Sequence, residues 1–334
     1  MRTERGEYKP PCASLSFALS VALFALLQSL PVSAALDRIS DFALLDVRGE
    51  FHQLSRYKHR DAFVLFAYDP ACSSTEQVQQ FATLQSQFSA SNISFGLLDT
   101  SGATRAELIA LSGALPDTLP LLQDGPQLVA SLLGASRAND VLVLNPDRLN
   151  VFYRGGIGDT LAGVLENVVT APPADTVTTT AIGCAIEVAR AEGVPDYAAD
   201  VAPIIRDNCA ECHRRGGVGP FAMDSYIMLL GWSPMIREVI LNKRMPPAQV
   251  DPEYGHSKMA RYLDDDEIET VVTWIDARAP RGAGAEDPLE THAARLSSTS
   301  EFGWQLGKPD RIVAGASNAI PSTGVMDYIY EDVD

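Results

Sequence analysis

Two hydrophobic rhythms alternate along residues 36–170. Phe63-Val64-Leu65-Phe66-Ala67-Tyr68 is a continuous apolar run, which a central strand covered on both faces requires. Asp69-Pro70-Ala71-Cys72 interrupts it, and Val78, Phe81, Leu84 and Phe88 then recur at helical spacing. Ile93 to Leu98 predicts a second strand and Arg105 to Leu111 a second helix. Val141-Leu142-Val143-Leu144 and Val151-Phe152-Tyr153-Arg154 flank Asn145-Pro146-Asp147, the composition of a hairpin turn. Leu161, Val164, Leu165 and Val168 predict a closing helix. Strands alternating with helices in this way predict an α/β domain.

The rhythm stops at Pro172-Pro173 and the polar run Thr176 to Thr180, so residues 171–183 read as a linker. Beyond it only the helical period returns, predicting an all-α domain over residues 184–288. Val201, Ile204 and Ile205 form one face of a short helix that starts near Pro195-Asp196 and ends at Cys209. Met235, Ile236, Val239 and Ile240 mark a second helix. Asp264-Asp265-Asp266-Glu267 offers N-capping acids for a third, which carries Ile268, Val271, Val272 and Ile275 on one face with Trp274 beside them. Residues 289–334 are polar as far as Trp304 and strand-like after it, and are expected to be a linker followed by a short β-like remnant. No internal repeat is present.

The first residues belong to neither domain. Arg2, Arg5 and Lys9 precede an apolar run from Ala13 to Leu30, and Val32-Ser33-Ala34 supplies small residues for cleavage. Residues 1–34 therefore read as a secretory signal peptide, with an uncleaved anchor as the competing reading, since the run is short for a span. Export implies a periplasmic or secreted protein with no stable membrane anchor after cleavage. The chain has a net charge of -17, and the segment removed holds Arg2, Arg5 and Lys9 against Glu4 and Glu7, leaving -18. So acidic a chain repels nucleic acid and anionic lipid and favours basic partners. Cys12 leaves with the signal, and of the four remaining cysteines Cys72 and Cys184 make an even pair outside the motif described next. Parity permits a disulfide between them without demanding one.

Cys209-Ala210-Glu211-Cys212-His213 carries the most specific chemistry in the chain. Cys-x-x-Cys-His is the attachment signature of a covalent c-type haem, in which both thiols add to the porphyrin vinyl groups and the histidine reaches iron from one face. Two other uses of such residues exist. A structural zinc site needs a second pair of ligands, and no further Cys or His pair follows. A dithiol redox motif belongs between a buried strand and a helix, whereas this one follows an amphipathic helix and precedes a glycine-rich loop.

From these residues the second domain resembles a class I cytochrome c. The resemblance implies one covalent haem c with His213 as the proximal iron ligand. It also implies that the carbonyl of Pro220, in Gly217-Val218-Gly219-Pro220-Phe221, holds the histidine ring. Met245, in Lys243-Arg244-Met245-Pro246-Pro247, matches the family's distal methionine; Met223, Met228, Met235, Met259, His256 or an open site are the alternatives. A His/Met pair saturates the iron and makes it an electron carrier, whereas an open site admits small ligands.

The first domain resembles the redoxin branch of the thioredoxin-like fold, on the cysteine just past the central strand and on the stretch from Val141 to Arg154-Gly155-Gly156-Ile157-Gly158-Asp159. It departs from that pattern in three places. Thr75 stands where a second active-site cysteine would be, Arg137-Ala138-Asn139-Asp140 lacks the usual proline, and Leu65 and Asp69 replace the peroxiredoxin residues before the cysteine. Ile182-Gly183-Cys184-Ala185-Ile186 is similar to a Gly-Cys element that follows redoxin domains in multidomain proteins. Together with Trp304-Gln305-Leu306-Gly307-Lys308-Pro309-Asp310, the whole order resembles exported fusions that continue into a copper type II, ascorbate-dependent monooxygenase-like domain. Only His256 and His292 follow the haem motif, so a copper centre and monooxygenase activity are not expected of these residues.

The expectation is an exported electron carrier with a His213/Met245-ligated haem c on Cys209 and Cys212. Its partner would be a redox protein, among which a copper monooxygenase-like domain is one candidate. The alternative is a thiol-disulfide or peroxide oxidoreductase that works through Cys72, with Cys184 as its partner and haem as accessory.

Overall fold

Seven consecutive buried residues, Ala62–Tyr68, form the strand around which the first domain is built. The computed structural model describes residues 37–188, 193–247, 262–284, 286–298 and 310–313. Strands in the first domain are β1 (Asp37–Arg38), β2 (Ala43–Leu45), β3 (Phe51–Gln53), β4 (Ala62–Tyr68), β5 (Ile93–Asp99), β6 (Leu121–Leu122), β7 (Val141–Asn145), β8 (Asn150–Gly155) and β9 (Val177–Thr178). Its helices are α1 (Thr75–Gln87), α2 (Arg105–Ser112), α3 (Leu128–Leu133) and α4 (Asp159–Asn167). The main sheet runs β1-β8-β7-β4-β5-β6, with β9 also on β8. β4 lies parallel to β5 and antiparallel to β7, and β7 and β8 form the expected hairpin. This is the α/β, thioredoxin-like arrangement the sequence predicts.

Alternation along β4 explains why the run is unbroken. Val64 and Phe66 face a core with Phe81, Phe95, Leu97, Val143 and Leu161. Phe63 and Leu65 face the opposite core with Phe42, Leu54, Leu98, Leu122 and Leu133. Successive side chains of a strand point to opposite faces, so a strand buried on both sides must be apolar at every position. α1 starts with a complete capping box, in which Ser74 accepts from the Gln77 amide and the Gln77 side chain accepts from the Ser74 amide.

The second domain contains a π-type turn (Tyr197–Val201) running into α5 (Ala202–Asn208), then α6 (Tyr226–Leu241), α7 (Asp265–Asp276) and α8 (Pro288–Ser298). Asp196 caps the first turn by accepting from the Ala198 and Ala199 amides, and Asp264 caps α7 in a capping box with Glu267. Tyr197, Ile205, Leu229, Ile236, Val271, Val272 and Trp274 form its core. Among the described residues, no helix is long and apolar enough to cross a membrane.

Two expectations change. Residues 171–183 are not merely a tether, because Val177 and Thr178 pair with Tyr153 and Arg154 as an added parallel strand. Residues 288–298 are helical where a polar linker was expected. Asp287 explains the change, because it is buried and accepts from the Leu289 amide, the Tyr226 amide and the Tyr197 hydroxyl. One carboxylate thus starts α8 and ties it to the π-type turn and α6. The expected signal peptide, Met259, His256 and Trp304 to Pro309 lie outside the described residues.

Candidate functional site

Cys72 sits on a tight turn between β4 and α1. The Ala71 amide donates to the Asp69 carboxylate, the Cys72 and Ser73 amides donate to the Asp69 carbonyl, and the Asp69 amide donates to the Ser73 hydroxyl. This turn brings the cysteine off the strand end and points the chain into the α1 cap. Cys72 and Cys184 form a disulfide, with Cα atoms 6.0 Å apart. Cys72 is half-buried and Cys184 exposed.

The chain around Cys184 is held alongside residues 136–139. Arg137 and Ala185 form an antiparallel bridge. The Ala138 amide donates to the Cys184 carbonyl at 2.9 Å, and the Ile186 amide donates to the Ser136 carbonyl at 3.0 Å. The Cys184 amide points at the Cys72 sulfur, 3.2 Å away. Side chains complete the seat, with the Asn139 amide group donating to the Ile182 carbonyl and the Arg137 guanidinium to the Gly183 carbonyl. Asn139, which stands near where a proline was missed in the sequence, has φ 70° and is buried. Asparagine tolerates the left-handed region better than other non-glycine residues, which accounts for its use here.

Two acids near the ends of β5 and β6 went unnoticed in the sequence. Asp99 is fully buried, and burial raises its pKa to about 6 against the opposing hydrogen bonds from Ser101. Burial also raises Asp124 to about 7, although the Val129 and Ala130 amides donate to its carboxylate. The available signal was an acid directly after an apolar strand, a pattern that surface loops share. Elsewhere, Asp46, Glu50 and His52 each bring a ligand-type atom within 4.8 Å of the others. Asp46 and His52 of that group are engaged by hydrogen bonds among protein atoms, and Glu50 is exposed. The two His52 ring nitrogens meet the Tyr57 hydroxyl and the Asp46 carboxylate, and Asp46 also accepts from the Arg48 and Glu50 amides.

The second candidate site lies at the end of α5. Cys209 is the residue after the helix, its amide still donating to Ile205, and the Cys212 and His213 amides both donate to the Cys209 carbonyl. The turn carries both cysteines and the histidine. Cys209 is half-buried and Cys212 exposed, and neither is joined in a disulfide. His213 is buried, and its Nδ1 lies 3.1 Å from the Phe221 carbonyl. A carbonyl can only accept, so Nδ1 carries a proton, and in the neutral ring the lone pair is left on Nε2. The sequence assigned this contact to the Pro220 carbonyl; the structure places it one residue later. Gly219 makes that approach possible, since a Cβ there would lie 2.7 Å from His213 Nδ1. Phe221 stacks on Trp232 with ring centroids 4.3 Å apart, forming an aromatic wall beside the histidine.

Met245 is placed on the loop after α6 and is 37% exposed. Among the described residues no hydrogen bond or aromatic contact joins it to His213. Two residues shortly before it are better anchored. Asn242 is buried, and Lys243 faces Asp124 and Asp265, with burial lowering its pKa against their attraction.

No known protein family and no curated protein matches this chain. Solved structures are similar to parts of it. A hypothetical protein from Sinorhizobium meliloti has a TM-score of 0.42 and 19% identity, covering 47% of this chain and 96% of its own. An exposed lipoprotein thioredoxin from Streptococcus pneumoniae has a TM-score of 0.34 and 16% identity, covering 39% and 98%. A putative thiol:disulfide interchange protein from Chlorobium tepidum has a TM-score of 0.33 and 14% identity, covering 41% and 96%.

Proposed function

We propose that this chain is a redox protein, with a thiol-disulfide centre in its α/β domain and a covalent haem c in its helical domain. The thiol-disulfide reading rests on one observation, the pairing of Cys72 with Cys184 across a backbone seat formed by Ser136 to Asn139. An incoming thiolate can attack the exposed Cys184 sulfur, and Cys72 then leaves as a thiolate. A second thiol of the reductant completes the exchange, so that one dithiol becomes a disulfide and both cysteines become thiols. The leaving sulfur is favoured where it stands, beside the Cys184 amide and before the N-terminus of α1, since both put positive charge density near it.

Equilibration of the full chain with dithiol buffers, read by alkylation and mass, tests this reading. Reduction and reoxidation of this one bond with the fold intact supports it. A bond that yields only when the domain unfolds refutes a working centre and leaves a structural staple.

The haem reading is favoured by a different observation: Cys209, Cys212 and a buried His213 lie on one turn, with the imidazole oriented by the Phe221 carbonyl. These residues fit the group. Cys209 and Cys212 would hold the porphyrin through thioethers, and His213 would ligate the iron from Nε2. The bound haem would supply one-electron transfer. This chain's own contribution is to fix the imidazole tautomer through the Phe221 carbonyl and to exclude water with Phe221 and Trp232. Met245 is the proposed sixth ligand. A pyridine-haemochrome spectrum of protein made in a host that attaches c-type haem tests the reading, with Cys209→Ser and Cys212→Ser as controls. A c-type band that the substitutions shift supports it, and absence of haem overturns it. Met245→Ala is then expected to keep the haem attached and allow exogenous ligands to bind. An unchanged spectrum in their presence removes Met245 from the assignment.

A further inference from the structure

The linker strand beside Cys72 occupies a seat whose shape is more selective than a disulfide needs. A bond between two cysteines asks only that their Cα atoms be close and suitably oriented. Here the partner segment also adds to an edge, with two backbone bonds to Ser136 and Ala138 and with Asn139 and Arg137 reading the carbonyls of Ile182 and Gly183. Gln77 at the start of α1 reads the Ile182 carbonyl as well, at 3.3 Å. These contacts go to main-chain groups, and the Ile182 side chain is 86% exposed, so the seat recognises extended backbone and is indifferent to that side chain.

One position is the exception. A Cβ on residue 183 would overlap the Ala138 carbonyl oxygen and crowd the Asn139 amide group. The carbonyl belongs to backbone anchored by the Asn139 amide on Ala67, so it cannot swing away as a side chain would. The residue before the cysteine must therefore be glycine.

We infer that the edge Ser136–Ala138 beside Cys72 is a binding site for an extended peptide bearing a glycine immediately followed by a cysteine. The chain's own Ile182–Ile186 is its resident occupant, held by the disulfide and released when that bond is reduced. The site then offers the Cys72 thiolate and a vacant strand edge to a second segment of the same chemistry. The covalent step is an exchange. The Cys72 thiolate attacks the peptide's disulfide-bonded sulfur, a new disulfide forms to Cys72, and the group previously bonded to that sulfur leaves as a thiolate. The inference rests on the thiol-disulfide reading of Cys72.

The test uses the full chain carrying Gly183→Ala and Cys184→Ser, so that its own segment can neither bond to Cys72 nor seat. The probe is the octapeptide of residues 180–187 (Thr-Ala-Ile-Gly-Cys-Ala-Ile-Glu) with its cysteine activated as a mixed disulfide to a small aromatic thiol. Its rate is compared with that of the same peptide carrying alanine in place of glycine, and with that of a symmetrical small aromatic disulfide. The glycine peptide is expected to form the Cys72 adduct about tenfold faster than the alanine peptide, because the clash is steric and confined to that Cβ. Equal rates for the two peptides, with the small disulfide still reactive, would overturn the inference and leave the thiol reading standing. Failure of the small disulfide to react would sink the thiol reading itself. A second readout needs no substitution. In the wild-type chain, hydrogen exchange at the Ala138 and Ile186 amides should quicken on reduction while the β4 amides stay protected. Unchanged protection of the pair would mean that the segment does not leave, which also overturns the inference.

Discussion

Replacing Cys184 with serine should remove a large part of the stability of the α/β domain. The disulfide closes a loop of sequence separation 112, which takes in nearly all of that domain from the end of β4 onward. In the chain-entropy treatment, a loop of that length lowers the entropy of the unfolded chain enough to stabilise the fold by about 5 kcal/mol at room temperature. Measured effects of native disulfides run from about 2 to 5 kcal/mol, so about 3 is a fair expectation. Cys184 is the better site for the change because it is exposed, whereas a hydroxyl at half-buried Cys72 would also disturb packing. Urea titration followed by far-UV circular dichroism is the assay. With a slope of about 2 kcal/mol per molar, the midpoint should fall by about 1.5 M. The slope itself should rise, because an unfolded chain without the cross-link exposes more surface. Wild-type protein held reduced should behave as the variant does. Coincident curves for the oxidised wild type and the variant would refute the loop-closure argument.

Other perturbations probe the rest of the molecule. Asp124 has its pKa raised to about 7 by burial, far above the unfolded value. Its native state therefore holds a proton that the unfolded state gives up, so the stability it contributes is complete below about pH 4 and is lost as pH rises to about 7. Asp124→Asn should flatten the fall in stability between about pH 4 and 7, measured by urea midpoints, and an unchanged slope would contradict the assignment. Asp287→Ala strips partners from the Tyr197 hydroxyl and from the Tyr226 and Leu289 amides, and should cost the helical domain about 2–4 kcal/mol with loss of α8 helicity by circular dichroism. A cost under about 1 kcal/mol would show that water replaces the carboxylate. Phe81→Ala empties a fully buried position between Phe66 and Phe95, with ring centroids 5.2 and 5.7 Å away, and should lower stability by about 3–5 kcal/mol in the same titration. A loss near 1 kcal/mol would mean that the core closes over the gap.

Much of this was legible in residue order because the signal was local. β4 announced itself through an apolar run with no polar interruption, and the hairpin through Asn145-Pro146-Asp147. Both helical caps read from sequence, at Asp196 and Asp264, formed as expected because a cap needs only its own next turn. The misses were nonlocal. α8 depends on Asp287, whose partners Tyr197 and Tyr226 are 90 and 61 residues away. Val177 and Thr178 are β-branched and suit a strand, but so short a run becomes one only because β8 offers an edge. The histidine contact at Phe221 differed from Pro220 by one residue, a distinction set by the close approach at Gly219. The Cys72–Cys184 pair was permitted by counting, but only the strand seat at Ser136 to Asn139 gives it a geometry.

The contact between the halves bears on how the chain would respond to being cut. Leu128 at the start of α3 packs into the core of the helical domain, and a Cβ on Gly125 would meet the Asp265 carboxylate at the start of α7. Lys243, beside the end of α6, faces both Asp265 and Asp124. A protease that nicks residues 171–183 would therefore release nothing. The fragments would co-elute under native conditions, since cleavage leaves this apolar and ionic seam in place and the Cys72–Cys184 bond bridges the nick as well. Lys243 lies two residues before Met245, so the stretch that presents the methionine takes its footing from the opposite domain and would be misplaced in a helical fragment expressed alone.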